Sequence, residues 1–193
     1  MANPLLYTLH IQLEPLQINP PIWRRLRVAG DCSLRKLHHY IQAAFGWHSE
    51  HLHEFEQDNA LYTRPESELA PVPSGTHDDR KVKLRQVLAD TDQRLRYLYD
   101  FGDSWQHVIA VERIEPFASR GSWCEVIGGA RACPPENVGG VKGYAEFLQG
   151  LALSGADNGD LAGQWPGNGF DPDLFDLRAA HAAVQRLSNN FWG

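Results

Sequence analysis

Tyr97-Leu98-Tyr99-Asp100-Phe101-Gly102-Asp103-Ser104-Trp105-Gln106-His107 is the stretch from which the fold can be read. An apolar run from Leu95 to Tyr99 ends on Asp100, a glycine follows at 102, and Asp103, Trp105 and His107 then occupy every second position. Side chains alternate faces along a strand. The pattern therefore predicts two strands, 94–100 and 105–114, joined across Phe101-Gly102, with Asp103, Trp105 and His107 on one face. An acid, an indole and an imidazole facing the same way are the ingredients of a site.

Outward from that hairpin, the same period-two signal marks residues 5–14, where Tyr7, Leu9, Ile11 and Leu13 alternate with Thr8, His10, Gln12 and Glu14. Asn19-Pro20-Pro21 bends the chain before a short strand over 22–28, which must begin at the prolines or lie at an edge because they lack a backbone donor. Leu34, Leu37, His38, Ile41 and Phe45 then follow a helical stripe, with Asp31 or Ser33 as N-cap and Gly46 as the stop. His51 to Glu56 alternate again, so that His51, His53 and Phe55 share a face. A short helical turn is expected around Leu84–Leu88, a helix over 143–153, and a last helix over 177–187 capped by Asp176. Three stretches, 63–79, 118–140 and 154–170, are rich in Pro, Gly, Ser and Asp and read as long loops. Strands come early and helices late. The class is α+β: one domain over 1–193, a mainly antiparallel sheet covered by helices.

Composition bounds the partners. A formal charge of −6 excludes the strongly basic footprint of a nucleic-acid-binding domain. The basic stretches at Arg24, Arg25, Arg27, Arg35 and Lys36, and at Arg80, Lys81, Lys83 and Arg85, read as solvated faces. No tight non-specific DNA binding is expected. Three cysteines without a CxxC pair argue for reduced thiols and a cytoplasmic setting. No leader with a basic and then an apolar region is visible, and no apolar run approaches the roughly 18–20 residues of a membrane span, so no membrane partner is expected.

The candidate pocket is lined by His51, His53, Asp103, Trp105 and His107, with Glu136 at a rim, and Arg24 and Arg25 are candidate anion contacts. Aromatic and arginine anchors dominate binding hot spots, which suits a module that takes a small molecule, a peptide or a protein. Imidazole and carboxylate also suit a divalent metal, with His51, His53, Asp103 and His107 as the ligand set. Their spacing matches no closed zinc motif, so no metal or other cofactor is expected. Metal-free acid–base chemistry would need a nucleophile, and the nearest, Ser104, faces away from Asp103 and His107 by alternation. Asp100 has a simpler reading, as an acid that satisfies backbone donors at the turn.

Pro20-Pro21-Ile22-Trp23-Arg24-Arg25-Leu26, His51-Leu52-His53-Glu54-Phe55, Tyr99-Asp100-Phe101-Gly102-Asp103-Ser104-Trp105-Gln106-His107 and Cys133-Pro134-Pro135-Glu136-Asn137-Val138-Gly139-Gly140 occur in that order, followed by Phe170-Asp171-Pro172 and Phe175-Asp176. Together they resemble the family named after the third open reading frame of a root-inducing plasmid, over residues 5–187. The resemblance implies a compact α+β domain carried on plasmids, among transposon passenger genes and in bacterial and archaeal genomes. Some members carry a resolvase-like label, which implies a catalytic Ser or Tyr; no recombinase motif is present in this sequence. The resulting expectation is a cytoplasmic binding or accessory module of mobile elements. A metal-dependent hydrolase using the same His and Asp residues is the alternative.

Overall fold

The computed structural model describes residues 3–15, 18–65, 74–118, 123–154 and 170–189. Alternation in residues 5–14 produces β1 (Leu5–Glu14), whose Tyr7, Leu9, Ile11 and Leu13 are almost wholly buried. β2 (Trp23–Ala29) starts just past the two prolines, as their missing donors require. β3 (His53–Gln57), β4 (Ala60–Thr63) and β5 (Thr76–Asp78) follow, and then the predicted hairpin, β6 (Arg94–Tyr99) and β7 (Trp105–Pro116). With β8 (Cys124–Ala130) these form one sheet in the order β5-β4-β3-β6-β7-β1-β2-β8. Every neighbouring pair is antiparallel except β4–β5. The α+β reading holds.

One face of this sheet is the core. Leu26, Phe55, Leu95, Tyr97, Trp105, Ile109 and Val126 project from it with Tyr7, Leu9, Ile11 and Leu13. Helix α1 (Leu34–Phe45) covers them, N-capped by Ser33 and stopped by Gly46 at φ +88°. The capping Oγ of Ser33 accepts from the Lys36 amide, filling one of the donors a helix start leaves open. The short α2 (Leu84–Val87) and the longer α3 (Gly140–Ser154) add to the cover, and α4 (Leu177–Asn189) packs on α1 and β8. Asp176 Oδ1 accepts from the Ala179 amide, so the last helix is capped as expected. The other sheet face is open, and arginines lie along it in pairs with acids.

Two of the three predicted loops contain strands. β8 lies inside 118–140, where Gly128-Gly129 gave the segment the look of a loop. Their reason is close approach: a Cβ on Gly129 would stand 2.5 Å from the Phe175 ring, and one on Gly128 would touch the Trp23 indole. β5 lies inside 63–79 and is only three residues long, too short for any periodic signal. Residues 155–169 of the third loop lie outside the described residues. The three cysteines are free, Cys32 and Cys124 buried and Cys133 half-buried. No helix among the described residues is long and apolar enough to cross a membrane.

Candidate functional site

Asp100 and Ser104 bracket the β6–β7 turn with φ of +57° and +56°, which small polar side chains tolerate best. Asp100 Oδ1 accepts from the Gly102 amide at 2.9 Å, closing an Asx turn, and Ser104 N donates to Asp100 O at 2.6 Å. The positive φ at Ser104 breaks the alternation. β7 therefore starts at Trp105, and Asp103 is not on its face. Instead Asp103 Oδ2 accepts from Gly139 N at 3.2 Å, and its carbonyl lies so close to Gly140 that a Cβ there would approach to 2.5 Å. Asp103 ties the turn to the start of α3 and does not join the two strand residues.

Trp105 and His107 do share a face, but that face is the sealed core, where they are 0 % and 1 % exposed. His107 Nδ1 donates to the carbonyls of Trp105 (3.1 Å) and Tyr97 (3.3 Å), while Phe45 and Trp47 present their rings edge-on to it. Burial holds its pKa down to about 3 although the two carbonyls pull the other way, so the ring is neutral. His53 faces the same core, and Tyr97 stands between it and His107.

His53 belongs to a network that sequence reasoning missed. Its Nε2 donates to Asp79 Oδ2 at 2.9 Å, and Arg35 holds the same carboxylate with two bonds of 2.8 Å. Burial alone would raise the Asp79 pKa, but the His53 and Arg35 hydrogen bonds outweigh it and the net shift is downward. The His38 ring stacks on His53 at 3.6 Å and 7°. Burial, and then the neighbouring His53, depress the His38 pKa strongly. With His38 neutral, the Tyr97 hydroxyl donates to its Nδ1 (2.8 Å) and accepts from Gln42 Nε2 (3.0 Å). Gln42 Oε1 then accepts from Ser49 N. The sequence marks His53 as a candidate and puts His38 in a helical stripe, but Arg35 reads there as a solvated face and Asp79 as loop, whereas the two are paired and Asp79 is fully buried.

His51 lies just before β3 and is half-buried. Its Nε2 is 3.6 Å from Asp100 Oδ2 and 4.0 Å from Glu136 Oε2. Glu136 Oε1 is engaged twice, by the Tyr99 hydroxyl and by His48 N, both at 3.0 Å. Burial, and then Glu136, push the Tyr99 pKa up. Glu136 Oε2 and His51 Nε2 are inaccessible to solvent and have no hydrogen-bond partner among the described residues. Leu52, 60 % exposed, and Phe101, 51 % exposed, flank this corner, and Asp100 N donates to Leu52 O at 2.9 Å. Ser49 and Asn137 add positive φ values of +59° and +58° in the segments that converge here. Non-glycine residues held in that region concentrate at functional sites.

The four candidate metal ligands therefore do not converge. His53 goes to Asp79, His107 to carbonyls, Asp103 to Gly139, and His51 to the outer corner. No group of three His, Cys, Asp or Glu among the described residues is arranged to hold a metal ion. Arg24 corrects another expectation. It is 2 % exposed, and its guanidinium donates to the carbonyls of Trp23, Ala44, Ala130 and Arg131 between the Phe45 and Phe175 rings. Burial lowers its pKa to about 10, so it stays charged, with the last carbonyls of α1 as part of its counter-charge. Alternation along β2 puts Arg24 on the core face, opposite Arg25 and Arg27, but does not say what covers it. Arg25, on the open face, makes two bonds of 2.7 Å to Glu112, and Arg27 sits between Glu115 and Glu125.

Comparison with known proteins gives consistent results. A family model described as plasmid pRiA4b ORF-3-like protein matches residues 6–179. An uncharacterized protein, y4hQ, of Sinorhizobium fredii is 35 % identical over 174 residues, 89 % of this chain and 87 % of that protein. The crystal structure of MM3350, a protein of unknown function from Methanosarcina mazei Go1, superposes with a TM-score of 0.78 at 30 % identity, covering 92 % of this chain and 97 % of that one.

Proposed function

The chain belongs to the plasmid pRiA4b ORF-3-like family, and we propose that it is a cytoplasmic binding or accessory module of mobile elements. Its recognition site is the corner formed by His51, Asp100 and Glu136, with the exposed Leu52 and Phe101 next to it in the chain. One observation carries this reading. Polar atoms of His51 and Glu136 are withdrawn from solvent without a partner, next to two of the most exposed apolar side chains of the described residues. Buried polar atoms are nearly always paired, and an unpaired set beside apolar surface has the composition of a ligand pocket. The ligand is a small molecule, a peptide or a protein segment. Duplex DNA is not its partner: the charge is −6, and Arg24, Arg25 and Arg27 are taken up by carbonyls and glutamates.

The test is a titration of the ¹⁵N-labelled protein with a mixture of small polar–aromatic fragments, followed by amide chemical shifts. Perturbations are expected to gather at residues 48–53, 100–104 and 134–140. Saturable binding elsewhere, with that corner silent, would remove the site.

A further inference from the structure

We infer that the open face of the sheet binds an aliphatic diamine, in a cavity that shares no residue with the His51 corner. The cavity has a volume of about 270 Å³ and lies over β3, β6, β7 and β1. Alternation places its lining. Glu54 and Glu56 flank the buried Phe55, Arg96 and Leu98 flank Tyr97, Gln106 and Val108 flank His107, and Glu14 follows Leu13. Each of those buried side chains faces the core, so its chain neighbours face the open side. Strand pairing sets the layout. Glu54 lies opposite Leu98, Leu98 opposite Gln106, and Gln106 opposite Glu14. The two glutamates therefore end a row that spans three strand spacings, roughly 14 Å between their Cα atoms. The adjacent row runs from Glu56 through Arg96 to Val108. Leu98 and Val108 thus form an apolar floor between two acidic walls.

The charges on this lining do not cancel. Three glutamates face one arginine, a surplus of two negative charges. Arg96 stands 3.8 Å from Glu56 Oε2 and balances it. Glu54, half-buried, forms no hydrogen bond or ion pair with any described residue, and burial, followed by the nearby Glu56, raises its pKa. Among the described residues Glu14 accepts only from the Gln12 side chain, at 3.3 Å. Elsewhere on the same face the acids are matched: Glu112 by Arg25, and Glu115 and Glu125 by Arg27.

The occupant follows from that layout. A dication neutralises the surplus, and its two charges must stand apart because the unmatched carboxylates do. The stretch between them must be apolar to lie on Leu98 and Val108. A diamine on a short methylene chain has all of these properties, with ammonium donors at both ends. A single ammonium leaves one wall unmatched. A guanidinium is a flat fork that fits the edge of one carboxylate. A divalent metal needs converging ligands, and no group of three among the described residues is arranged for one. An anion finds only Arg96, already beside Glu56.

The probes are 1,5-diaminopentane, 1-aminopentane, pentanedioate, MgCl₂ and the peptide acetyl-lysyl-alanyl-lysine amide, each titrated into the ¹⁵N-labelled full chain. The diamine is expected to move the amides of residues 12–14, 54–56, 96–98 and 106–108 saturably. The monoamine should bind about fivefold more weakly, the contribution of one half-exposed ion pair. Glu54→Gln and Glu14→Gln should each weaken the diamine by about the same factor, and the double variant by more, with urea midpoints little changed. Pentanedioate should leave these amides unmoved.

If the monoamine binds as tightly as the diamine, or either glutamine variant binds the diamine unchanged, the two-walled site is wrong. If MgCl₂ at equal concentration displaces the diamine, the face only attracts counter-ions and the inference falls. If the lysine peptide binds more tightly than the diamine, the lysines of a partner chain replace the free diamine. If the shifts scatter over the acidic surface instead of gathering at these strands, there is no site. The amides of residues 48–51 and 134–140, read in the same spectra, keep this result separate from the fate of the His51 corner.

Discussion

His53 and His51 are two residues apart in the chain and belong to clusters of opposite character. Around His53 every polar contact leads to another: to Asp79, from Asp79 to Arg35, and by stacking to His38, Tyr97 and Gln42. Around His51 the contacts stop at 3.6 and 4.0 Å, and two solvent-withdrawn atoms have no partner. Both clusters hold histidine and carboxylate, so composition alone does not separate them. What differs is saturation. A saturated network fixes architecture, and an unsaturated one leaves hydrogen-bonding capacity for something else.

The sharpest way to break this contrast is to remove Asp79. Asp79→Ala leaves Arg35 and His53 facing each other without their carboxylate and should cost about 3–5 kcal/mol of stability in urea unfolding. Glu136→Gln at the outer corner should cost less than about 1 kcal/mol. Equal losses would mean that both clusters are architectural.

Acid titration tests the buried histidines of the core more gently. His107 is buried and neutral in the fold and must take up a proton on unfolding. Its stabilising effect is therefore complete above about pH 6.5, the ordinary histidine pKa, and is lost as pH falls toward its folded value of about 3. His38 shifts in the same direction. Between pH 6.5 and 5 each should remove about 2 kcal/mol, read as a falling urea midpoint. Asp79, whose pKa is also lowered, is ionised throughout that window and adds its loss only below about pH 4. In His107→Asn the fall between pH 6.5 and 5 should be shallower by that one proton.

Gln42 joins the clusters, donating to Tyr97 on one side and accepting from Ser49 on the other. Gln42→Ala should destabilise by about 1–3 kcal/mol and should also shift the amide signals of residues 48–53 at the outer corner. A change in stability without such shifts would uncouple the two regions. The smallest effect is expected at Arg25, whose pair with Glu112 is one-third exposed. Arg25→Ala should change stability by less than about 1 kcal/mol and leave the corner's amide shifts unmoved.

The sequence carries the fold through periodicity, and its misses are specific. β1, α1 and the β6–β7 hairpin were legible because each buries one face and exposes the other. β8 was not, because Gly128 and Gly129 serve contacts with Trp23 and Phe175, and those neighbours cannot be read from the segment itself. At the candidate site, His51 and Glu136 could be named singly but not as neighbours, since 84 intervening residues separate them in the chain. Asp103 was misplaced because alternation was carried one residue pair too far across Ser104. Asp79 was invisible, since an acid in a polar stretch gives no sign of a buried partner.

The backbone beside His51 carries one more consequence. The amides of His48, Ser49 and Glu50 donate in succession to Glu136, Gln42 and Tyr99, three side chains from three different parts of the fold. A segment pinned at three consecutive residues has lost most of its conformational freedom by the time folding is complete. A ligand arriving at this corner therefore has little chain left to immobilise, and its affinity need not be reduced by the ordering that a loose loop would require.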